Sequence, residues 1–237
     1  MNKKLSIVIP IFNEEKNITI LLKKIISIIK KKFIYEIIIV DDSSIDKSRI
    51  EVEKIQKEKK NVYYISRKNK IRDLSRSCAD GFEKSQYTYI LVMDGDLQHD
   101  PFYIPILFKA IMVSSCDIVI GVRDFNQKNI CLTLGKIRFF SSKFLIIIIN
   151  FLLGKKTIDP MSGFFVFKKK LYTNNKKKLF LKGYKILADL LYSSKKNLKI
   201  KDIIIRFNNR KKGSSKMNLK ILILLLIFIF KKCIQKI

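Results

Sequence analysis

The sequence predicts an α/β domain with a mostly parallel β-sheet and helices on both faces, and three observations support this fold class. Short runs of branched apolar residues alternate with segments whose apolar residues recur at helical spacing. The strand-like runs are almost continuously apolar, which is typical of strands buried on both faces of a parallel sheet. Polar clusters follow three of these runs, and in such sheets ligands bind beyond the carboxyl ends of the strands.

The first half of the chain supplies the alternating elements in order. We predict strands at 5–9, 36–40, 62–66, 87–93 and 117–122. Helices are predicted at 17–31, 46–59 and 74–84, separated by those strands. A fourth helix is predicted after Asp100, because aspartate is a favoured N-cap and Pro101 suits the first helical position. The repeated strand–helix order predicts a single doubly wound unit.

Two strongly apolar segments mark the second half. Residues 139–153 are apolar except for Ser141, Ser142, Lys143 and Asn150, and residues 221–230 form an unbroken apolar run. A spanning helix needs about 17–25 residues, so neither segment is expected to cross a bilayer. Two interpretations of 139–153 stay open, a buried core helix and a helix lying in the membrane interface.

The domain prediction follows from these segments. We predict one domain over residues 1–212, which includes the membrane-facing helix 139–153. A short basic and apolar tail over 213–237 is predicted to form an interfacial helix. The apolar run near the N-terminus is too short for an export signal.

The composition restricts the chemistry. The chain has 49 Lys and Arg against 20 Asp and Glu, a net charge of +29, which suggests nucleic acid, an anionic membrane or a phosphorylated substrate as a neighbour. An AT-rich genome would also enrich lysine without selection for binding. The four cysteines form no C-x-x-C pair, which argues against a zinc cage and fits a reducing cytosol. The single histidine, His99, excludes multi-histidine sites.

The polar cluster after the fourth strand has the composition of a metal site. Asp94 and Asp96 are separated by one glycine, and the Gln98 amide oxygen is a candidate third ligand. Mg²⁺ and Mn²⁺ prefer such oxygen ligands and often share them with substrate phosphates. The alternative is a solvated acidic turn that caps a strand.

The clusters after the first two strands, Asn13-Glu14 and Asp41-Asp42, have side chains that can accept hydrogen bonds from ribose hydroxyls or base N–H groups. Neither G-x-G-x-x-G nor a P-loop string is present, which excludes those two nucleotide-binding patterns. Acidic turns before helices also serve as N-caps, and we favour that role for Asp46.

Seven strings along nearly the whole chain resemble the family 2 glycosyltransferases of the GT-A fold, most closely their dolichol-phosphate mannosyltransferase branch. They are IVIPIFNEE at 7–15, IVDDSSID at 39–46, VMDGDLQHDP at 92–101, GVR at 121–123, DPMSGFF at 159–165, GYKIL at 183–187 and RKKGSSK at 210–216. The third and fifth strings together are specific to the lipid-phosphate branch. The sequence departs from the family pattern at Asp73, where glycine is usual, and at Asp189, where glutamate is usual.

The resemblance implies a role for each matched residue. Asp94, Asp96 and Gln98 would hold Mg²⁺ or Mn²⁺ on the sugar-nucleotide diphosphate, with Asp96 and Arg123 acting in catalysis. The nucleotide sugar would contact Asp94 and the residues Pro10, Asn13, Glu14, Asp41 and Asp42. The acceptor phosphate would be held by Arg123, Arg138, Ser142 and Arg210.

The activity implied is transfer of a sugar with inversion, most directly mannose from GDP-mannose, to a polyprenyl phosphate such as dolichyl or undecaprenyl phosphate. A UDP-sugar donor is the alternative within the class. The protein would be cytoplasmic and attached peripherally to an anionic membrane surface. A membrane-anchoring partner protein could contribute to this attachment. No nucleic-acid partner is expected, because the arginines lie beside a metal motif and an apolar helix.

Overall fold

The computed structural model describes residues 4–68, 70–123, 136–183, 185–194, 197–208, 227–232 and 234, with the backbone alone for 136–142 and 152. Arg210 and residues 213–226 of the predicted tail lie outside the described residues. The side chains of Arg138 and Ser142 also lie outside them.

Seven strands of the described chain form one sheet in the order β3-β2-β1-β4-β6-β5-β7. They are β1 Lys4–Ile11, β2 Ile34–Asp41, β3 Val62–Ser66, β4 Tyr89–Val92, β5 Ile118–Arg123, β6 Phe165–Lys168 and β7 Ile200–Ile205. Strand β6 runs antiparallel to β4 and β5, and the other pairings are parallel. The predicted mostly parallel sheet is confirmed, whereas β6 and β7 have no counterpart in the sequence prediction.

Seven α-helices lie between Ile18 and Ser193 of the described chain. They are α1 Ile18–Ile29, α2 Ser48–Glu58, α3 Leu74–Lys84, α4 Ile104–Val113, α5 Lys136–Leu153, α6 Lys169–Asn175 and α7 Ile186–Ser193. Strand β3 and helix α3 have the predicted bounds. Strand β4 begins two residues later than predicted, because the N–H of Tyr87 donates to Ser6 Oγ rather than to a strand carbonyl.

The helix starts follow the capping residues in the sequence. Asp100 accepts from the N–H of Phe102 at 3.0 Å, and Pro101 opens a 3₁₀ turn, Pro101–Tyr103, that leads into α4. Asp46 accepts from the N–H of Ser48 at 2.9 Å, but the N-cap of α2 is the next residue, Lys47, which makes no side-chain capping hydrogen bond. The N-cap role predicted for Asp46 is therefore wrong by one position, although its carboxylate does contact the first turn.

Apolar cores lie on both faces of the sheet. Ile7 and Ile9 of β1 belong to a buried cluster with α1, α2 and α4. Val8, which points to the other face, packs in a second cluster with α3, α6 and α7. The strands are thus buried on both sides, as their continuous apolar sequence predicts.

Helix α5 has one buried face, as the core-helix interpretation of residues 139–153 predicts, and the membrane-interface interpretation stays a prediction. One face is buried against Ala188 of α7 and against Phe228 and Ile229 of the C-terminal helical segment 227–232; its buried residues include Leu145, Ile149 and Leu153. The other face exposes Phe144, Ile147 and Phe151 by 61%, 58% and 84%. Within the described residues, every helix is too short or too polar to cross a membrane.

Candidate functional site

The carboxyl ends of β1, β2 and β4 bring the three polar clusters to one edge of the sheet. The parallel register pairs Pro10 with Val40 and Ile11 with Asp41, so the loops after β1 and β2 leave the sheet side by side. A Cβ at Gly95, after β4, would lie 3.5 Å from Glu14 Cγ. The predicted donor and metal residues therefore meet in space.

Side-chain hydrogen bonds tie the loops after β1 and β2 to each other. The N–H of Asn13 donates to Ser44 Oγ at 2.8 Å, and Asn13 Oδ1 accepts from the N–H of Ile45 at 2.9 Å. Asn13 and Ser43 have φ values of 54° and 69°, in the left-handed region that asparagine tolerates better than most residues. The two loops are therefore fixed relative to each other.

Asp41 and Asp42 are almost completely buried, at 2% and 4% exposure. Asp41 accepts from the N–H of Ser44 and from the Tyr64 hydroxyl, both at 2.7 Å. Burial and the Asp41 carboxylate raise the pKa of Tyr64, so this hydroxyl remains a donor. Asp42 forms a buried ion pair with Arg67. Both carboxylates thus help to organise the edge of the sheet.

Arg67 lies at the same edge of the sheet, and the sequence analysis does not identify it. It follows β3, is 2% exposed, and its Nε also donates to Asp80 at 2.9 Å. The rule that picks out the three polar clusters, position after a strand, applies equally to Arg67. A buried cation at this edge offsets the negative charge of Asp42 and Asp80.

The predicted metal ligands lie on one short loop after β4. Asp94 is the accessible member, with 37% side-chain exposure, whereas Asp96 and Gln98 are 6% and 2% exposed. The N–H of Gln98 donates to Asp96 Oδ1 at 3.2 Å, and Gln98 Nε2 donates to Asn208 O at 3.3 Å. Among the described residues, no three His, Cys, Asp or Glu side chains cluster as a metal cage. Two carboxylates and one amide are the candidate protein ligands.

Gly163, in the DPMSGFF string, closes this loop from the other side. A Cβ at Gly163 would lie 2.2 Å from Asp94 Oδ2, so any side chain there would displace the carboxylate. The two strings that indicate the lipid-phosphate branch are therefore in direct contact. The oxygen donors on this loop fit a hard divalent cation that shares them with phosphate oxygens and water.

Arg123 lies at the end of β5, where a buried partner holds it. Arg123 Nε donates to Asp159 Oδ2 at 2.6 Å, and Nη2 donates to Oδ1 at 2.9 Å. Burial alone would raise the pKa of Asp159, but the charge and hydrogen bonds of Arg123 outweigh it and lower that pKa. The structure thus shows Arg123 in a bidentate ion pair, a partner that the sequence analysis does not assign.

His99 lies behind the loop after β4 that carries Asp94 and Asp96. It is 2% exposed, its ring is about 5 Å from those of Phe164 and Phe207, and its Nε2 is 3.5 Å from Asp94 Oδ2. These contacts place the single histidine as support for the loop rather than at its surface.

The two residues that depart from the family pattern have clear partners. Asp73 is the N-cap of α3 and accepts from the N–H of Arg76 at 3.1 Å and from the N–H of Gly183. Asp189, buried in α7, accepts from the N–H groups of Phe180 and Leu181. Both carboxylates therefore accept hydrogen bonds from backbone N–H groups.

Comparisons with known proteins agree with this arrangement. The glycosyl transferase family 2 profile matches residues 6–174. The dolichol-phosphate mannosyltransferase of Pyrococcus furiosus is 32% identical over 222 residues, 90% of this chain and 59% of that protein. The enzyme of the same name from Saccharomyces cerevisiae is 30% identical over 232 residues, 94% of this chain and 84% of that protein. The chain thus spans about three fifths of the archaeal relative's length.

A solved structure shows the same fold. The Mycobacterium tuberculosis glucosyl-3-phosphoglycerate synthase, in complex with Mn²⁺, UDP and phosphoglyceric acid, superposes with a TM-score of 0.73 at 16% identity. The match covers 97% of this chain and 78% of that one. The expected GT-A fold is confirmed. With the profile and the relatives at 30–32% identity, this shows that the chain belongs to glycosyl transferase family 2.

Proposed function

We propose that the chain transfers mannose from GDP-mannose to a polyprenyl phosphate, with inversion at the sugar carbon. The observation that carries the proposal is the contact between Gly163 and Asp94, which joins the two strings typical of the lipid-phosphate branch into one site. The names of the relatives from Pyrococcus furiosus and Saccharomyces cerevisiae support mannose and a dolichol-phosphate acceptor.

The proposed donor site is the edge formed by β1, β2 and β4. Pro10, Asn13 and Glu14 would line the nucleoside on one side, and Asp41 and Asp42 would contact it from the other. Because the loops are tied together by hydrogen bonds, their groups are positioned before the donor binds. Asp94 would lie next to the diphosphate.

Asp94, Asp96 and Gln98 are the residues that would hold Mg²⁺ or Mn²⁺. The Mn²⁺ in the mycobacterial synthase structure, which shares the fold, supports a divalent ion here. When bound, such an ion would stabilise the negative charge that builds up on the leaving nucleoside diphosphate.

The proposed reaction needs little acid–base chemistry from the protein. An oxygen of the acceptor phosphate is already anionic near neutral pH; it would form the bond to the sugar carbon as the bond to the diphosphate oxygen breaks. No proton has to be removed, which suits a site containing a single buried histidine. Positioning and electrostatic stabilisation would supply most of the acceleration.

Three arginines and one serine, Arg123, Arg138, Arg210 and Ser142, are proposed to hold the acceptor phosphate. Arg123 would approach it at the end of β5, and Arg138 and Ser142 are one helical turn apart on α5. Arg210 would complete the set. The exposed apolar face of α5 begins at Phe144, which would place the lipid chain beside the phosphate.

A donor panel tests the proposed sugar and base. Purified protein is incubated with polyprenyl phosphate and radiolabelled GDP-mannose or UDP-glucose, and the label extracted into organic solvent is counted. We expect label only from GDP-mannose. Label from UDP-glucose alone would contradict the proposed donor and establish the UDP-sugar alternative.

We further propose that the protein attaches peripherally to the cytoplasmic face of a membrane through the exposed face of α5. Phe144, Ile147 and Phe151 offer apolar area, and Lys143 and Lys155 are exposed at the two ends of that surface. The third nearby lysine, Lys156, donates to Leu191 O at 2.7 Å and is not counted among them. Each lysine near an anionic leaflet contributes about 1 kcal/mol, and apolar burial adds to this. A polyprenyl acceptor also keeps its enzyme at the bilayer.

Sedimentation with anionic vesicles at rising salt tests this attachment. Replacing both Phe144 and Phe151 with Glu should move most of the protein into the supernatant at low salt. Val113→Glu is the matched control, because Val113 is 79% exposed at the end of α4. Native protein that stays in the supernatant at low salt would rule out the attachment.

A further inference from the structure

Lys232 is buried in a polar pocket beneath the C-terminal helical segment. Its side chain is 1% exposed, and Nζ donates to Asp189 Oδ1 at 2.9 Å, to Ser193 Oγ at 2.6 Å and to Lys178 O at 2.8 Å. An ammonium group has three N–H donors, and these three acceptors match that number. Lysine is rarely buried unless it is paired, so this pocket specifically fits the end of this side chain.

Apolar contacts hold the same segment on the domain. Phe228 and Ile229 are each 3% exposed and pack with Leu145 and Ile149 of α5 and Ala188 of α7. The Phe228 ring also lies 6.2 Å from that of Phe180. Lys232 therefore enters its pocket only when the segment is seated on α5 and α7.

Asp189 connects this pocket to the irregular segment at residues 180–183, which bends at Gly183 and which we call the 180–183 turn. Its Oδ2 accepts from the N–H of Phe180 at 2.7 Å and from the N–H of Leu181 at 2.9 Å. Leu181 and Gly183 have φ values of 49° and 87°. A leucine in the left-handed region persists only where its surroundings hold it, and here the Asp189 carboxylate supplies that support.

The 180–183 turn contacts the start of α3 and fixes its position. The N–H of Gly183 donates to Asp73, and the N–H and Oγ of Ser75 donate to Gly183 O at 3.0 and 2.8 Å. Arg67 Nη1 donates to Asp73 O at 3.2 Å and pairs with Asp42. Polar contacts, joined along the backbone between Leu181 and Gly183, thus connect Lys232 to the edge of the sheet.

We infer that Lys232 and Asp189 are positioning residues, which couple the seating of the C-terminal helical segment to the donor site through the 180–183 turn, Asp73 and Arg67. The inference rests on the proposed function in one respect, that Asp42 contacts the donor nucleotide. When the segment leaves, Asp189 loses its cation, the turn loses support, and Arg67 and Asp42 lose their fixed geometry. Donor affinity then falls, although neither Lys232 nor Asp189 contacts the donor.

Amide hydrogen exchange and nucleotide calorimetry on the full chain test this coupling. In Lys232→Met, exchange of the Phe180 and Leu181 amides should accelerate at least about tenfold. The Kd for GDP should rise about fivefold or more. Lys177→Met is the matched control, because Lys177 is exposed on the neighbouring 3₁₀ turn, Lys176–Lys178, and should change neither value by more than about twofold.

A rescue variant separates positioning from simple loss of stability. Lys232→Met combined with Asp189→Asn removes both buried charges, and the Asn carbonyl oxygen can still accept from Phe180 and Leu181. This double variant should recover most of the GDP affinity lost in Lys232→Met. If Lys232→Met does not fold, Ser193→Ala, which removes one acceptor of Nζ, should show the same two changes at smaller size.

Two results would overturn the inference. One is a folded Lys232→Met protein with native GDP affinity, and the other is unchanged exchange at Phe180 and Leu181. Native protein that binds neither GDP nor UDP would instead overturn the proposed function. In that case the exchange of the amides at 180–181 and 73–77 would still decide whether Lys232 controls the turn.

Discussion

Replacing Asp96 with Asn should reduce sugar transfer to below about 1% of the native rate, a barrier increase of about 2.7 kcal/mol or more. The substitution is isosteric, and its oxygen can still accept from the N–H of Gln98, the contact that Asp96 Oδ1 makes at 3.2 Å. It removes a negative charge from the proposed cation site. The fold is checked by circular dichroism and the unfolding midpoint.

Asp100→Asn is the matched control for this experiment. Asp100 lies on the same loop, but its carboxylate caps the Pro101–Tyr103 turn, and asparagine is an equally good cap. We expect near-native transfer from it. More than about a tenth of native transfer in Asp96→Asn, a barrier change near 1.4 kcal/mol, would count against a direct role in metal binding.

Replacing Asp159 with Asn should lower the free energy of unfolding by about 3–5 kcal/mol. Asp159 is 0% exposed and its partner Arg123 is 6% exposed, so the substitution leaves a buried guanidinium without its bidentate carboxylate. Such a loss is a large fraction of the stability of an ordinary domain. Urea unfolding at constant pH measures it.

The surface ion pair between Arg49 and Glu53 supplies the control, because the two side chains are 64% and 42% exposed. Glu53→Gln should cost less than about 1 kcal/mol. Equal losses from the two substitutions would contradict the burial of the ion pair between Arg123 and Asp159.

The pH dependence of the Asp159→Asn effect has a definite sign. The pKa of Asp159 is lowered in the folded protein relative to its ordinary value of 3.8. Its contribution to stability is therefore fully present above that ordinary value and is lost as the pH falls through the folded value. The difference between native protein and variant should stay constant from neutral pH to about pH 5 and shrink below about pH 4.

Elements with a strong local pattern were predictable from the sequence. Strand β3 and helix α3 have the predicted bounds, because turn and capping residues mark their ends. The four-residue strand β6 inserts antiparallel between β4 and β5, and such a pairing leaves no trace in the spacing of nearby residues. Strand β7 pairs with β5, some 80 positions earlier in the chain. Local periodicity does not report such a distant pairing, so this strand was not predicted either.

In the candidate site, too, local features were predictable from the sequence and contacts between distant segments were not. Position after a strand was enough to select Asp94 and Asp96, and the same rule applied to basic residues would have selected Arg67. The pairing of Arg123 with Asp159 and the contact of Gly163 with Asp94 join residues far apart in sequence. Their motifs can be read from the sequence, but the contacts depend on the three-dimensional arrangement of the sheet.

Sugar transfer by the purified protein to polyprenyl phosphate, compared with unphosphorylated polyprenol, tests the central claim most directly. With labelled GDP-mannose and Mg²⁺ or Mn²⁺, label should enter the lipid fraction only when the phosphate is present. Chelation of the metal should stop transfer, and its return should restore it. Equal labelling of polyprenol, or undiminished transfer in the presence of chelator, would contradict a metal-dependent transfer to a lipid phosphate.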